Sequence, residues 1–233
     1  MTDSARTEII ARVRRATAGN GAEVIAAQLS SLGAAPIPDI PQAQFAELFL
    51  ANVLRNQGTA ISVRNKSDAT KTVAQYLYQN YRTRKLVAGN DPKLAAMPWR
   101  DGGVLPRFGA AIEGDLASVS YARAGIVETG SILTWTGKSN PAANNLLVEN
   151  HIVLVDLGDL VATMADAWTE IDASQEGSRR HRGINFVSGP SSTADIDFQL
   201  IMGAHGPRSW HVVLIGDLPD DTLDNARDIA GLI

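Results

Sequence analysis

The 233-residue chain contains no cysteine. That excludes disulfides, thiol nucleophiles, zinc–thiolate sites and iron–sulfur clusters ligated by the chain's own thiolates. Histidine is scarce: His151, His181, His205 and His211 make up the full set, and none pairs with another at HExxH spacing. No metal site is therefore expected. No apolar run approaches the ~18 residues that cross a bilayer. The opening MTDSARTEIIARVRRA lacks the apolar stretch of a secretory leader, so a cytoplasmic location is the default expectation. An excess of basic charge is also missing. The formal net charge is -4, which gives no electrostatic case for nucleic acid. Internal repeats and low-complexity tracts are absent.

What remains is an ordinary globular composition, 45% hydrophobic and 20% charged, long enough for one large or two small cores. Residues 3–17 read as a short amphipathic helix. Ile9, Ile10 and Val13 share one side, and Arg6, Arg12, Arg14 and Arg15 occupy the rest. Those arginines make either a solvated face or a docking arm for an acidic partner. Residues 30–41 carry three prolines and read as an extended linker. This places a boundary near residue 40, with an N-terminal helix and linker over 1–40 and an α/β domain over 41–233.

Beyond the linker, helical spacing over 42–55 gives way to alternation of strand and helix. Strands are expected at 59–64, 85–89, 151–157, 184–188 and 210–216, with two or three more inside 117–136. Helices are expected at 67–81, 158–168, 193–202 and 219–231. HIVLVDL and WHVVLIG are nearly continuous apolar runs, as strands buried on both faces require. The pattern predicts an α/β sheet covered on both sides, with ligands at the carboxyl ends of its strands.

Four stretches carry candidate chemistry. In FVSGPSSTADIDF (186–198), a strand runs through Gly189 and Pro190 into Ser191, Ser192 and Thr193, with Asp195 in the first turn of the expected helix. Free N–H groups and hydroxyls there would cradle a phosphate or carboxylate, or the same residues would simply cap the helix. In GIVETGSIL (125–133), Glu128 is either a base, nucleophile or ligand carboxylate, or the end of a strand whose Thr129, Gly130 and Ser131 make a hairpin turn. In GAHGPRSW (203–210), His205 either faces a ligand or bonds the last carbonyls of the preceding helix. Arg179, Arg180 and Arg182 in SRRHRG form either a solvated loop or anion contacts.

VETGSIL (127–133), SGPSSTADID (188–197) and GAHGPRSWHVVLI (203–215), in this order and spacing, resemble the LUD-domain family. More narrowly they are similar to its lactate utilization protein C branch, also called YkgG or DUF162. The resemblance runs from about residue 40 to the end. It implies a three-layer α/β/α sandwich similar to the NagB/RpiA/CoA-transferase fold. It also implies a part in the oxidation of L-lactate to pyruvate together with iron–sulfur partner proteins, and the expected role is an accessory or regulatory chain that binds a small anion, those partners, or both. The lack of cysteine agrees with that division of labour. The motif positions fall on Glu128, Thr129, Gly130, Gly189, Pro190, Ser191, Thr193, Asp195, His205, Gly206 and Pro207. Ser192 stands where the family often has arginine and Asp197 where it often has glutamate, which weakens the anion cradle. Two other functions stay open: a CoA-transferase-like enzyme using Glu128, and a module that senses a small carboxylate. The resemblance fixes no catalytic residue and no cofactor.

Overall fold

The structure, a computed structural model, describes residues 3–17, 21–33, 36–174, 181–196 and 199–232. The chain divides into two compact units, Met1–Ile37 and Pro38–Ile233. The first holds helices α1 (Asp3–Thr17) and α2 (Ala22–Ser31). α1 matches the helical spacing, whereas α2 was not anticipated; its last two residues fall in the stretch read as linker.

The second unit opens with α3 (Phe45–Arg55), then β1 (Thr59–Val63), α4 (Lys66–Tyr81), β2 (Lys85–Ala88), two single-turn helices, α5 (Pro92–Ala95) and α6 (Trp99–Gly102), and β3 (Leu105–Phe108). α4 starts where Asn65 accepts the Asp68 N–H at 3.0 Å, a side-chain cap for an otherwise orphan donor. Next come β4 (Ala117–Tyr121), β5 (Ala124–Ile126), β6 (Ser131–Thr136), α7 (Ala142–Leu146), β7 (Asn150–Asp156), β8 (Leu160–Val161) and α8 (Met164–Ala173). The chain closes with β9 (Gly183–Val187), β10 (Ser192–Ile196), β11 (Gln199–Met202), β12 (Ser209–Ile215) and α9 (Thr222–Ala230).

Six strands form the main sheet in the order β1-β12-β7-β4-β2-β3, every pair parallel. A parallel sheet buries both faces, which is why β7 and β12 read as nearly continuous apolar runs. Alternate residues serve opposite layers. Ile152, Leu154, Val213 and Ile215 pack with Val73 and Leu77 of α4 and with Leu94 and Trp99. Val153, Val155, Val212 and Leu214 pack with Phe49, Leu50 and Val53 of α3 and Ala226 of α9. Each such large side chain contributes about 1.5–3 kcal/mol by leaving water. The result is a parallel sheet between helical layers, consistent with the three-layer sandwich expected.

A second sheet, β8-β5-β6-β9, carries antiparallel pairs and is covered by Ala167 and Ile171 of α8. Here two expectations fail. The helix read over 158–168 starts only at Met164. Before it, residues 157–159 make a single 3-10 turn and Leu160–Val161 pair with β5. Thr163 and Asp166 then form a reciprocal capping box that fixes the start of α8.

The helix read over 193–202 does not exist. β10 and β11 form an antiparallel hairpin, with Ser192 opposite Met202 and Thr193 opposite Ile201. Short apolar spacing fits either period. Pairing across the hairpin, and the return of Gly203 N–H to the Ser191 carbonyl at 2.8 Å, decide for strand.

Candidate functional site

Two motif turns meet on the C-terminal half of α3. In the β5–β6 hairpin, Asn52 Nδ2 donates to the Val127 carbonyl and Asn56 Nδ2 to the Thr129 carbonyl, both at 2.8 Å. Gly130 has φ +65°, and a Cβ there would lie 2.5 Å from the backbone carbon of Asn52. After β9, Gly189 has φ +121°, and a Cβ would lie 2.3 Å from the Asn56 carbonyl oxygen. Glycine is required at both places by backbone angle and by contact. The turns are then joined by hydroxyls: Thr129 Oγ1 to Ser131 Oγ at 2.7 Å, and Ser131 Oγ to Ser188 Oγ at 2.5 Å. Ser131, the middle member, is buried, Thr129 half-buried and Ser188 exposed, so the hydroxyl chain passes through the interior and reaches solvent at Ser188.

Glu128 takes no part in this chain. Its exposed carboxylate accepts the N–H of Met164 at 2.9 Å, at the start of α8. A carboxylate is favoured at a helix N-terminus, where it meets unpaired N–H groups and the positive end of the dipole. Ser191 belongs to a neighbouring knot. Its N–H donates to the Pro207 carbonyl at 2.8 Å, and its Oγ accepts the His205 N–H at 3.3 Å. Gly206 packs on Ser191 with 3.2 Å for a would-be Cβ. Pro190 links the two clusters.

The structure thus brings Thr129, Gly130, Ser131 and Gly189 together and joins Ser191 to His205. Ser192, Thr193 and Asp195 lie on strand β10, and no helix N-terminus stands there. The cradle of free N–H groups expected at 191–195 is therefore absent, because that backbone is committed to a hairpin. The Asp195 side chain, together with Asp197, Arg179 and Arg180, lies outside the described residues; Arg182 is exposed just before β9. The turn pair also sits at the amino-terminal end of the parallel sheet, not at the expected carboxyl end. Asn56 precedes the first residue of β1 by three positions, and Pro207 that of β12 by two.

The carboxyl end holds a charged cluster that no motif announced. Tyr121 ends β4 and its hydroxyl donates to Asp156, the last residue of β7, at 2.5 Å. Lys93 donates to Asp156 at 3.2 Å and to Asp159 at 2.9 Å, and its ammonium lies 4.7 Å from the Tyr121 ring centroid. Buried Asp91 caps α5 through the Lys93 N–H and pairs with Arg123 at 3.4 Å. Burial, then the bond to Asp156, pushes the Tyr121 hydroxyl pKa up. Burial opposes the charge on Lys93, but its bonds to Asp159 and Asp156 outweigh it and raise the pKa. A sequence signal existed here: Tyr121 and Asp156 end their strands, and Asp91, Lys93, Arg123 and Asp159 each follow the end of a strand closely. Asn52 and Asn56 offered no signal, because asparagines in and just after a helix have no motif; Ser188 lay inside the SGPSSTADID stretch but was not singled out.

Among the described residues, no group of three or more His, Asp or Glu is placed to hold a metal ion, and no helix is long and apolar enough to cross a membrane.

A parallel sheet between helical layers, with two glycine-seated turns joined through hydroxyls beside it, defines an α/β domain protein. Residues 116–215, which include both turns, match the family model of the LUD domain. That match spans VETGSIL, SGPSSTADID and GAHGPRSWHVVLI, the three stretches that carry the resemblance. It is 28% identical over 152 residues to a lactate utilization protein C of Exiguobacterium sp., covering 61% of this chain and 66% of that protein. It is 26% identical over 181 residues to lactate utilization protein C of Halalkalibacterium halodurans, covering 71% and 79%. It is also 30% identical over 100 residues to the protein YkgG of Escherichia coli, covering 42% and 43%. The crystal structure of a DUF162 family protein from Deinococcus radiodurans superposes with a TM-score of 0.56 at 19% identity, over 76% of this chain and all of that one. That likeness shows a shared fold.

Proposed function

We propose that this chain acts in L-lactate utilization as an accessory chain that binds a small carboxylate and joins partner proteins holding iron–sulfur clusters. The observation that carries the reading is the match of 116–215 to the LUD domain, in chains similar to proteins named lactate utilization protein C. The geometry favours binding over catalysis. Ser188, exposed at one end of the hydroxyl chain through Ser131 to Thr129, is the hydroxyl a carboxylate oxygen would reach, and Glu128 is engaged as the α8 cap. A CoA-transferase-like reaction needs a glutamate free to attack an acyl group. The test is affinity capture of the tagged chain from cells grown on L-lactate, with a lactate-oxidation assay on the eluate. Recovery of cysteine-rich iron–sulfur proteins with activity supports the reading. Recovery of the chain alone, inactive, overturns it.

A further inference from the structure

We propose that a hollow at the amino-terminal ends of β2, β3 and β4 binds a small organic acid, a monocarboxylate with an apolar body, at a site separate from the Ser188 turn. Its volume of about 420 Å³ lies within the roughly 300–1,000 Å³ of small-molecule sites.

Register sets which side chains enter it. In the parallel ladder of β2 and β3, Lys85 pairs with Leu105 and Val87 with Arg107. Paired residues point to one face and successive residues to opposite faces, so these four share a face. Val87 packs there with Ala111, which brings the 109–116 segment over that face. Gly114, Asp115 and Leu116 of this segment line the hollow opposite the strands. Leu105 and Leu116 stay 61% and 46% exposed, so an apolar body seated between them takes wet apolar surface out of water.

The wall is fixed before any ligand arrives. Buried Asn144 donates through Nδ2 to the Gly109 carbonyl at 3.0 Å and accepts the Ala111 N–H through Oδ1 at 2.6 Å. Asp115 accepts the Ile112 N–H at 2.8 Å and pairs with Arg107. A preformed wall spares the ligand the cost of ordering it.

Charge decides the head group. Asp115 neutralises Arg107, whereas Lys85 has no acidic partner among the described residues. Thr83, also in the lining, accepts the Lys85 N–H through Oγ1 at 3.1 Å and keeps its own O–H to give. One uncompensated cation and one hydroxyl suit a carboxylate. A dianion such as a phosphate monoester calls for a second free cation, and Arg107 is already engaged.

The test titrates octanoate, and octan-1-ol as its neutral counterpart, into the isotope-labelled full chain and follows amide chemical shifts. Saturable octanoate shifts are expected at 83–86 and 114–117, with the 186–190 turn unmoved. Lys85→Gln should weaken octanoate roughly tenfold, the loss of one charge-assisted bond, and leave octan-1-ol unchanged. Leu105→Gln should weaken both. Arg84→Gln, at the neighbouring cation outside the lining, should keep octanoate affinity. No saturable shift at these residues, shifts centred on 186–190 instead, equal affinity for acid and alcohol, or indifference to Lys85→Gln each overturns the proposal.

Discussion

Lowering the pH from 8 to 5 should destabilise this protein through two buried histidines. His151 is fully buried, with Nε2 3.0 Å from Ser120 Oγ. His211 is 5% exposed, with Nδ1 2.8 Å from Thr59 Oγ1 and its ring stacked on Tyr76 at 3.9 Å. Neither has a carboxylate partner among the described residues, so burial alone acts on the charged form and lowers each pKa to about 4. The unfolded chain takes up these protons near the ordinary value of about 6.5. Protons therefore bind the unfolded state first. The stability from the neutral histidines is complete above pH 6.5 and is lost as pH falls towards 4. At pH 5 each histidine costs about 2 kcal/mol relative to pH 8, or roughly 4 kcal/mol for the pair. That is a large share of the ~5–15 kcal/mol by which a domain is stable. Urea denaturation of wild type, His151→Gln, His211→Gln and the double variant at pH 8, 6.5 and 5 measures it. The single variants should lose about half of the pH dependence each, whatever their stability at pH 8. An equal slope between pH 8 and 5 in wild type and double variant would refute the reasoning, and would mean that water or relaxation accommodates the imidazolium charges.

Other substitutions test the site. Gly130→Ala forces a left-handed angle and a contact on Asn52, so it should cost about 1–3 kcal/mol, read as a fall in Tm of several degrees. Asn56→Ala removes the bond to the Thr129 carbonyl and should cost about 1 kcal/mol, with faster amide exchange confined to the 128–131 turn. Glu128→Gln keeps an acceptor for the Met164 N–H and should change stability by less than about 1 kcal/mol. If Glu128 is a cap, the same variant leaves lactate oxidation by the recovered complex intact; loss of activity with an unchanged Tm would instead make it a reacting group. Thr163→Ala breaks the capping box of α8 and should cost about 1 kcal/mol in urea denaturation.

Local chemistry determined a good deal on its own. The nearly continuous apolar runs at 151–157 and 210–216 read as strands covered on both faces, and they lie side by side within the parallel sheet. The helical spacing of Val73 and Leu77 places α4, and the glycines of the 125–133 and 186–198 motifs mark the turns that need them. The total absence of cysteine settles what the chain cannot ligate. Tertiary structure decided the rest. Residues 192–202 satisfy a strand period as readily as a helical one, and pairing across the hairpin made the choice. Glu128 could have faced a ligand, but its position beside the first turn of α8, 36 residues away, gives its carboxylate a backbone donor. Lys93, Tyr121, Asp156 and Asp159 are scattered through the sequence and meet because β2, β4 and β7 end at the same edge. Sequence spacing reports periods of two and 3.6 residues within one element. It carries no register between elements, and it is register that brings distant polar groups within bonding distance.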